Sequence, residues 1–218
     1  MHSILPKLLV MLFVAIFATG CATNQPYDYS AYKQIRPHSI LILPPINDSP
    51  DVNATYSVFA QMTHPLAEAG YYVFPVTLVD ETFKQNGLTT PADIHAVAPR
   101  KLQEIFGADA ALYVTITRYG TSYMIISSAA IVAANAKLVD LKTGKLLWQG
   151  SASASSEEGQ NNSGGLAAIL ISAIIKQIAS SVFDASHNVA GLTSERLLSA
   201  GHPNGILYGP RSPLYGKD

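Results

Sequence analysis

Histidine, cysteine and serine side chains carry much of enzyme chemistry, and this sequence spaces them without a catalytic or metal-binding pattern. Six histidines stand apart along the chain, with no His-x-His or His-x-x-x-His pair to hold one metal ion. The single cysteine, Cys21, excludes an internal disulfide framework and a cysteine-rich zinc site. We therefore predict no metal site and no cofactor. The histidines are His2, His38, His64, His95, His187 and His202.

Acidic residues occur as adjacent pairs and near the end of the first predicted strand. Adjacent side chains do not face each other in a strand or a helix, so the neighbouring pairs Asp80-Glu81 and Glu157-Glu158 are not arranged as catalytic dyads. Asp48 and Asp51 follow the first strand, where α/β proteins often bind ligands, but capping of the next helix by Asp51 or Asn53 is a simpler explanation. Because nucleophile-elbow and phosphate-loop motifs are missing as well, we predict that the protein is not an enzyme.

The first twenty residues have the composition of an export signal. Lys7 supplies a positive charge, and Leu8–Ala18 are eleven uncharged apolar residues, whereas a membrane span needs roughly 20. Small residues then precede the cysteine in Ala18-Thr19-Gly20-Cys21. This segment resembles the lipobox of bacterial lipoprotein precursors, although that family usually has Leu where this chain has Ala18.

The lipobox resemblance implies that residues 1–20 are a cleaved signal peptide and that Cys21 receives a diacylglycerol and an N-linked acyl chain. Several acyl chains hold a protein on a membrane more firmly than one. Ala22 replaces the Asp that retains many such lipoproteins at the inner membrane, which implies an outer-membrane location facing the periplasm. We expect a lipidated tether over residues 21–37, a single domain over residues 38–200 and an irregular tail over residues 201–218.

The composition fits a folded domain and excludes other classes of protein. Of the 218 residues, 48% are hydrophobic and 13% are charged, so the chain is not wholly disordered. Its 14 Lys and Arg against 15 Asp and Glu give a formal net charge of −1. This balance excludes a basic nucleic-acid-binding protein, and we expect no nucleic acid among its partners.

Short apolar runs closed by proline alternate with helical patterns in the first half of the domain. Ser39–Leu43 and Tyr71–Phe74 predict two strands, the first of them buried on both faces. Between them, Ile46–Asn53 predicts a polar loop and Ala54–Ala69 predicts a helix that Pro65 should kink or split. Further short helices are predicted at Leu78–Gln85, Pro91–Ala96 and Arg100–Phe106.

Strand patterns dominate the second half. Asp109–Thr117 alternates between apolar and polar residues, as a strand with unequal faces does. The segment Asp140–Gly144 offers a glycine for a turn and predicts a hairpin between Ile131–Leu141 and Lys145–Ser155. With a short strand at Tyr123–Ile126, the order predicts a mixed α/β sheet of about five strands (β-α-β-α-β-β-β), packed by helices and followed by C-terminal helices.

A polar, glycine-rich loop over Ser156–Gly165 precedes the most apolar helix, predicted at Leu166–Phe183. This helix is apolar on more than one side, so it covers the sheet, or covers the sheet and joins a second subunit, or enters a membrane. Lys176-Gln177 interrupt it after ten residues, which disfavours a membrane span. A further helix is predicted over Ala185–Ala200, broken near Gly191. The residues of the possible subunit interface are Leu166, Ile169, Leu170, Ile171, Ile174, Ile175, Ile178 and Phe183.

Four segments carry a further resemblance: Leu43–Asn47, Ala67–Val76, Phe106–Ala110 and Leu138–Trp148. Over most of residues 21–200, the chain resembles a family of bacterial lipoproteins of the meningococcal vaccine-candidate type. The resemblance implies a fold like the N-terminal domain of the TolB translocation protein. The curli-secretion lipoprotein and the lipoprotein activators of penicillin-binding proteins have related folds, and none of these relatives is an enzyme.

These observations predict a non-enzymatic outer-membrane lipoprotein that acts as an interaction or assembly module of an envelope complex, such as a transport complex. Its expected partners are the outer membrane, through the lipid, further copies of the chain in a homodimer or larger homo-oligomer, and other envelope proteins. Two alternatives stay open. One is a curli-secretion-like pore component, since Tyr123–Ser155 alternates as membrane hairpins do. The other is a periplasmic ligand-binding domain that uses Asn47, Asp48 and the Tyr71-Tyr72 pair.

Overall fold

A mixed sheet of six strands lies at the centre of the protein, and helices pack on both of its faces. The computed structural model describes residues 27–123, 128–158 and 182–217. The strands are β1 (Ser39–Ile42), β2 (Ile46–Asn47), β3 (Tyr72–Val73), β4 (Ala110–Tyr123), β5 (Ser128–Asp140) and β6 (Leu146–Ser155). The helices are α1 (Ser30–Ile35), α2 (Ala54–Gln61), α3 (Thr63–Glu68), α4 (Val76–Gln85), α5 (Pro91–His95), α6 (Pro99–Phe106) and α7 (Val182–Leu198).

The strands lie in the order β3-β1-β4-β5-β6, and β2 pairs with β4. β1 pairs in parallel with β3 and with β4, because helices carry the chain back across the sheet between these strands. β4, β5 and β6 then pair antiparallel through direct connections. The mixed α/β fold predicted from the sequence is confirmed, with six strands in place of about five.

The additional strand, β2, lies within the segment predicted as a polar loop. Ile40–Ile42 pairs with Ala110–Leu112 of β4, and Ile46-Asn47 pairs with Thr115-Ile116 further along the same strand. Pro44-Pro45 lies between the two paired segments. Because proline has no N–H to donate, the pairing is interrupted there and resumes at β2.

β4 is longer than the predicted strand Asp109–Thr117 because a β-bulge allows it to continue. Its register against β5 shifts between Ile116 and Arg118. Beyond the shift, Tyr119 points inward and is 9% exposed. The sequence alternation fails at this bulge, so the pattern predicted that the strand ends there. Apart from Tyr123, which ends β4, the separate strand predicted at Tyr123–Ile126 lies outside the described residues.

β1 and Leu43, which directly follows it, supply side chains to two apolar cores, one on each face of the sheet. Ile40 and Ile42 pack with α1, α2, α3 and α7, whereas Leu41 and Leu43 pack with α4, α5 and α6. All four side chains are fully buried. The prediction of a first strand buried on both faces is therefore confirmed.

Pro65 divides the predicted helix Ala54–Ala69 in two. α2 ends at Gln61, and α3 begins at Thr63. The reason is that Pro65 cannot donate a hydrogen bond to the carbonyl of Gln61, four residues earlier, and its ring crowds that carbonyl. The predicted effect of Pro65 is confirmed.

α7 continues without interruption through Gly191, so the break predicted near that residue is wrong. A Cβ atom on Gly191 would lie 3.4 Å from the side-chain oxygen of Gln61. The glycine therefore permits close approach of α2 and α7 and does not end the helix. Of the predicted helix Leu166–Phe183, residues 166–181 lie outside the described residues.

The segments on either side of residues 38–200 dock on the sheet. Part of the segment predicted as a tether forms α1, where Tyr32 is 1% exposed and places its hydroxyl 2.9 Å from that of Tyr71. The Tyr71 hydroxyl donates to the carbonyl of Leu207, in the segment predicted as a tail. The adjacent Ile206 is buried. Over the described residues, the predicted tether and the predicted tail therefore both lie against the folded body.

Candidate functional site

A polar cleft of about 320 Å³ opens beside α2, at the end of the sheet where β1 and β2 finish. The loop before α2, the part of β4 beyond the bulge and the start of α7 form its walls. We call it the Ser57 cleft. Its described lining residues are Asp51, Asn53, Ser57, Tyr119, Gly120, Thr121, Ser186 and His187.

A chain of hydrogen bonds joins three elements across the Ser57 cleft. The hydroxyl of Tyr119 donates to Ser57 Oγ at 2.8 Å, and Ser57 Oγ lies 2.9 Å from His187 Nδ1. The other ring nitrogen, Nε2, lies 2.7 Å from the side-chain nitrogen of Gln61. With the Gln61 amide as donor, the ring proton is on Nδ1 and is donated to Ser57. The chain therefore fastens β4, α2 and α7 to one another.

This arrangement does not activate Ser57 as a nucleophile. A serine nucleophile needs a histidine that accepts its proton and a carboxylate that stabilises the resulting imidazolium. Here His187 donates to Ser57, and its second partner is the neutral amide of Gln61. Burial is the main cause that raises the pKa of Tyr119, with a smaller rise from the charge of Asp51 and an opposing effect of the Ser57 hydrogen bond. Tyr119 therefore stays a neutral hydroxyl donor.

A larger cleft, of about 820 Å³, lies between the connection from α5 to α6 and one face of β4, β5 and β6. On the opposite face of these strands, α7 packs against the sheet. We call the other side, which no described helix covers over these strands, the hairpin face. Among the residues that the structure describes, the side chains of the hairpin face make no hydrogen bond or ion pair with one another or with other groups. These residues are Tyr113, Thr115, Asn135, Lys137, Gln149 and Ser151.

His95 closes one side of the larger cleft. Its Nε2 lies 3.0 Å from the carbonyl oxygen of Pro44, and its ring meets Tyr113 edge to face, with centroids 5.3 Å apart. Burial lowers the pKa of His95, and the hydrogen bond to Pro44 opposes this effect without cancelling it. The neutral ring donates from Nε2 to Pro44 and keeps Nδ1 as an acceptor.

The outer edge of β6 is closed by two side chains. The backbone N–H of Gln149 donates to the hydroxyl of Tyr27 at 2.9 Å. The carbonyl of Ser153, four residues beyond Gln149, accepts a hydrogen bond from Arg196 at 2.8 Å, and Arg196 also forms an ion pair with Glu158. Such caps hinder another strand from pairing with an exposed sheet edge.

The site residues proposed from the sequence are only partly visible. Cys21 lies outside the described residues, as do the proposed interface residues from Leu166 to Ile178. Phe183 lies in the first turn of α7, but its side chain is not described. In the parts of the chain that are described, no group of three or more His, Cys, Asp or Glu could hold a metal ion, and no helix is long and apolar enough to cross a membrane.

The ligand site considered around Asn47 and the two tyrosines is not assembled. Asn47 accepts hydrogen bonds from Ser49 and donates to the carbonyl of Asp51, so its polar groups shape the loop. Tyr72 pairs with Ser39 at the start of β1, whereas Asn47 pairs with Ile116 beyond its end. Because the strands are parallel, the tyrosines and Asn47 lie at opposite ends of the sheet.

Of the loop carboxylates, Asp51 reaches the Ser57 cleft and also accepts a hydrogen bond from the backbone N–H of Asn53 at 2.9 Å. The side chain of Asn53 makes no capping bond to α2. The predicted cap is therefore a turn around Asp51. The other central residues of the cleft, Ser57, Tyr119 and His187, belong to elements far apart in the sequence, and no local motif marks them.

Comparisons with known proteins relate the chain to bacterial lipoproteins. The model of a family described as "Putative lipoprotein GNA1162-like" matches residues 27–211. The chain is 52% identical to "Putative lipoprotein NMB1124/NMB1162" of Neisseria meningitidis serogroup B over 209 residues, which are 94% of this chain and 96% of that protein. The crystal structure of lipoprotein GNA1162 from Neisseria meningitidis is similar at 57% identity and a TM-score of 0.54, covering 66% of this chain and 100% of that chain.

A more distant likeness is to a PelC dodecamer from Paraburkholderia phytofirmans, at 13% identity and a TM-score of 0.45. It covers 74% of this chain and 86% of that chain.

Proposed function

Because this chain belongs to the GNA1162-like lipoprotein family, we propose that it is a lipid-anchored, non-enzymatic module for assembly of a complex at the periplasmic side of the outer membrane. Membership of the family confirms the resemblance carried by the sequence. The family supports an envelope lipoprotein. The finer parts of the proposal are the anchor at Cys21, the outer membrane, the lack of catalysis and a role in assembly, and each of them has its own test.

The hairpin face is the observation that carries the proposed binding role. Its six polar side chains lack partners within the described residues, and they border a cleft of about 820 Å³. Val97 and Pro99 add apolar surface on the opposite wall, and Tyr113 is half-buried between the walls. A half-buried aromatic side chain surrounded by a polar, solvent-exposed rim has the arrangement of a protein-binding surface.

Photo-crosslinking in intact envelopes tests the binding role. A photoreactive residue in place of Asn135, in the cleft, is expected to give adducts with another envelope protein. The same residue in place of Gln85, exposed on α4 and remote from the cleft, is the control. Tyr113→Ala, which removes the aromatic anchor, should reduce the adducts from position 135 severalfold. Adducts of equal yield from both positions would contradict a binding role for the hairpin face.

The lipid anchor is tested by mass spectrometry of the N-terminal peptide. The proposal expects the mature chain to begin at Cys21, with a diacylglycerol on sulfur and an acyl chain on nitrogen. Cys21→Ser should remove the chain from the membrane fraction. A free thiol at Cys21 in the mature protein would refute the anchor and the outer-membrane location together.

The lack of catalysis is tested at Ser57, the hydroxyl with the most enzyme-like surroundings. A fluorophosphonate probe labels an activated serine by displacement of fluoride, with the serine oxygen bound to phosphorus. Because His187 donates to Ser57, we expect no labelling of the native protein, and no difference between it and Ser57→Ala. Stoichiometric labelling that Ser57→Ala abolishes would contradict a purely non-enzymatic role.

The proposal includes self-association through the helix predicted over Leu166–Phe183. Its support is the sequence, because apolar residues on more than one side of a helix need more than one neighbour. Analytical ultracentrifugation of the lipidated protein in detergent should show a dimer or larger species that Ile171→Glu weakens. A monomer at tens of micromolar would contradict self-association.

A further inference from the structure

At one end of its strands, the sheet brings together the starts of the parallel strands and the turn of the hairpin. Ile40 pairs with Ala110, and Ala110 pairs with Asp140 at the end of β5. Tyr72, at the start of β3, pairs with Ser39 at the start of β1. We call this side of the molecule the basal edge.

The chain enters the folded body at the basal edge. α1 ends only three residues before β1 begins, and Tyr27 contacts Gln149 near the start of β6. Cys21 precedes Tyr27 by six residues, which can span at most about 20 Å. β4 has fourteen residues and extends for about 45 Å. A lipid on Cys21 therefore holds the basal edge near the bilayer, and the far end of the sheet lies beyond its reach.

Exposed cations line the basal edge. They are six of the twelve Lys and Arg residues in the described part of the chain. Arg36 stacks on the ring of Tyr215 at 5.2 Å, and Arg211 stacks on the ring of Tyr72 at 5.4 Å, so the C-terminal segment lies at the same edge. The six are Lys33, Arg36, Lys142, Lys145, Arg211 and Lys217.

The carboxylates at the basal edge offset part of this positive charge and leave an excess of about two among the described residues. Asp109 is occupied by hydrogen bonds from Ser39 and from the backbone of His38, and Asp140 is 5% exposed and bonded to Thr143. Asp28 is exposed there, close to Lys145, and Glu68 is exposed at the end of α3, so the six cations face four carboxylates among the described residues.

At the opposite end of the sheet, acidic side chains outnumber basic ones among the described residues. Asp48, Asp51, Glu157 and Glu158 lie there, against Arg118 and the ion-paired Arg196. The charge of the folded body is therefore polarised along the strands, with the positive end where the chain departs towards Cys21.

We propose that the basal edge binds the phosphate headgroups of anionic phospholipids in the leaflet that holds the Cys21 lipid. This proposal rests on the lipid anchor of the proposed function. Attraction between Lys or Arg and an anionic surface acts within about 8 Å at physiological salt, a distance that the six-residue connection allows. The contact orients the domain, with the Ser57 cleft directed away from the bilayer.

Lysine footprinting of the full lipidated protein in vesicles tests the orientation. The protein is reconstituted in phosphatidylcholine vesicles with or without 30% phosphatidylglycerol, and amine acetylation of each lysine is followed by mass spectrometry. Phosphatidylglycerol should slow acetylation of Lys33, Lys142, Lys145 and Lys217 by about threefold or more, and 0.5 M salt should cancel the effect because it screens the attraction. Lys84 and Lys101, away from the basal edge, are internal controls and should not change.

Two matched double variants distinguish the effect of lysines at the basal edge from the effect of lysines elsewhere on the surface. Lys142→Gln with Lys145→Gln should restore acetylation of Lys33 and Lys217, whereas Lys84→Gln with Lys101→Gln should leave their protection intact. Inorganic phosphate added to phosphatidylcholine vesicles should give no protection. Protection by free phosphate, or equal acetylation in both kinds of vesicle, would overturn the membrane contact.

Flotation of the same vesicles reports the anchor separately. Protein that floats in both compositions but shows no phosphatidylglycerol-dependent footprint refutes the basal-edge contact and leaves the anchor standing. Protein that fails to float with either kind of vesicle refutes the anchor, and the basal-edge proposal with it.

Discussion

At the scale of single residues, the hydroxyl of Tyr119 is the donor that joins β4 to the Ser57 cleft. Its ring is 9% exposed, and its hydrogen bond to Ser57 spans 62 positions of sequence. Tyr113, six residues earlier on the same strand, is half-buried, and its hydroxyl has no hydrogen-bond partner within the described residues. The two tyrosines therefore form a natural comparison of a bonded and an unbonded hydroxyl.

We expect Tyr119→Phe to lower the free energy of unfolding by about 1 kcal/mol, the typical net value of one hydrogen bond. Tyr113→Phe should change it by less than about 0.3 kcal/mol, since no bond is lost. Urea denaturation of both variants measures the difference. Equal losses would mean that the hydrogen bond to Ser57 contributes nothing to stability.

His95 predicts a pH dependence of stability. Its pKa in the folded protein lies below the ordinary 6.5 because the ring is buried, so protons bind more tightly to the unfolded chain. The contribution of His95 is therefore complete above pH 6.5 and is lost as the pH falls through the folded-state pKa. The melting temperature should fall between pH 7 and pH 5.

His95→Gln isolates this contribution, because glutamine can donate to Pro44 but does not titrate. The decline in melting temperature between pH 7 and pH 5 should be smaller in the variant than in the native protein. Identical declines would assign the pH dependence to other groups.

The Ser57 cleft shows why its residues could not be found from the sequence. Ser57 and His187 are 130 positions apart, and each lies in a helix where a polar residue at that position fits ordinary helix patterns. Only the folding of α7 against α2 brings them together. Asp51 could be identified because loop residues that follow a buried strand form a local pattern.

At the scale of elements, two glycines are expected to respond in opposite ways to substitution by alanine. Gly191 lies within α7, and a Cβ there would contact only the flexible Gln61 side chain at 3.4 Å. Gly70 has φ of +99°, and a Cβ there would lie 2.5 Å from the backbone nitrogen of Ser212. Helix propensity therefore determines how alanine at position 191 changes stability. At position 70 the positive φ and the contact with Ser212 determine it.

Gly191→Ala should raise the free energy of unfolding by about 0.5–1 kcal/mol, the gain for alanine in a helix interior. Gly70→Ala should lower it by about 2 kcal/mol or more, because of strain and the clash with the C-terminal segment. Thermal or urea unfolding distinguishes the two. A loss of stability in Gly191→Ala would mean that crowding against Gln61 outweighs the gain in helix propensity.

The elements that could be predicted are those with local signals. Pro65 marked the split between α2 and α3, and Gly144, with φ of +73°, closes the predicted hairpin turn. The bulge after Ile116 and the two-residue β2 could not be predicted, because both depend on what the facing strand offers. The lack of a break at Gly191 likewise depends on α2, a partner that the local sequence does not reveal.

At the scale of the whole molecule, the protection of the β6 edge bears on how copies of the chain can meet. Tyr27 occupies one backbone group of that edge and Arg196 occupies another. A sheet that continues from one molecule to the next through β6 would have to displace both. Self-association of the native chain is therefore expected to use side-chain surfaces and not this edge.

Arg196→Ala should expose the edge and produce concentration-dependent association beyond that of the native protein, because the carbonyl of Ser153 and the neighbouring backbone become available. Lys101→Ala, which removes an exposed ion pair with Glu104 on α6, is the control. Light scattering of both variants across a concentration series measures the effect. Equal molar masses for the Arg196 variant and the native protein would show that Arg196 does not prevent association through the β6 edge.

The contact of α1 with the C-terminal segment, through Tyr32, Tyr71 and Leu207, also decides how the molecule bears mechanical load. Force applied through an anchor at Cys21 enters the body at Tyr27 and passes along α1. The bonds that it strains first join α1 and the C-terminal segment to Tyr71, and the force reaches the long central strands only after them. These hydrogen bonds between α1, Tyr71 and the C-terminal segment would break first. The sheet and its clefts would therefore keep their shape while these bonds break.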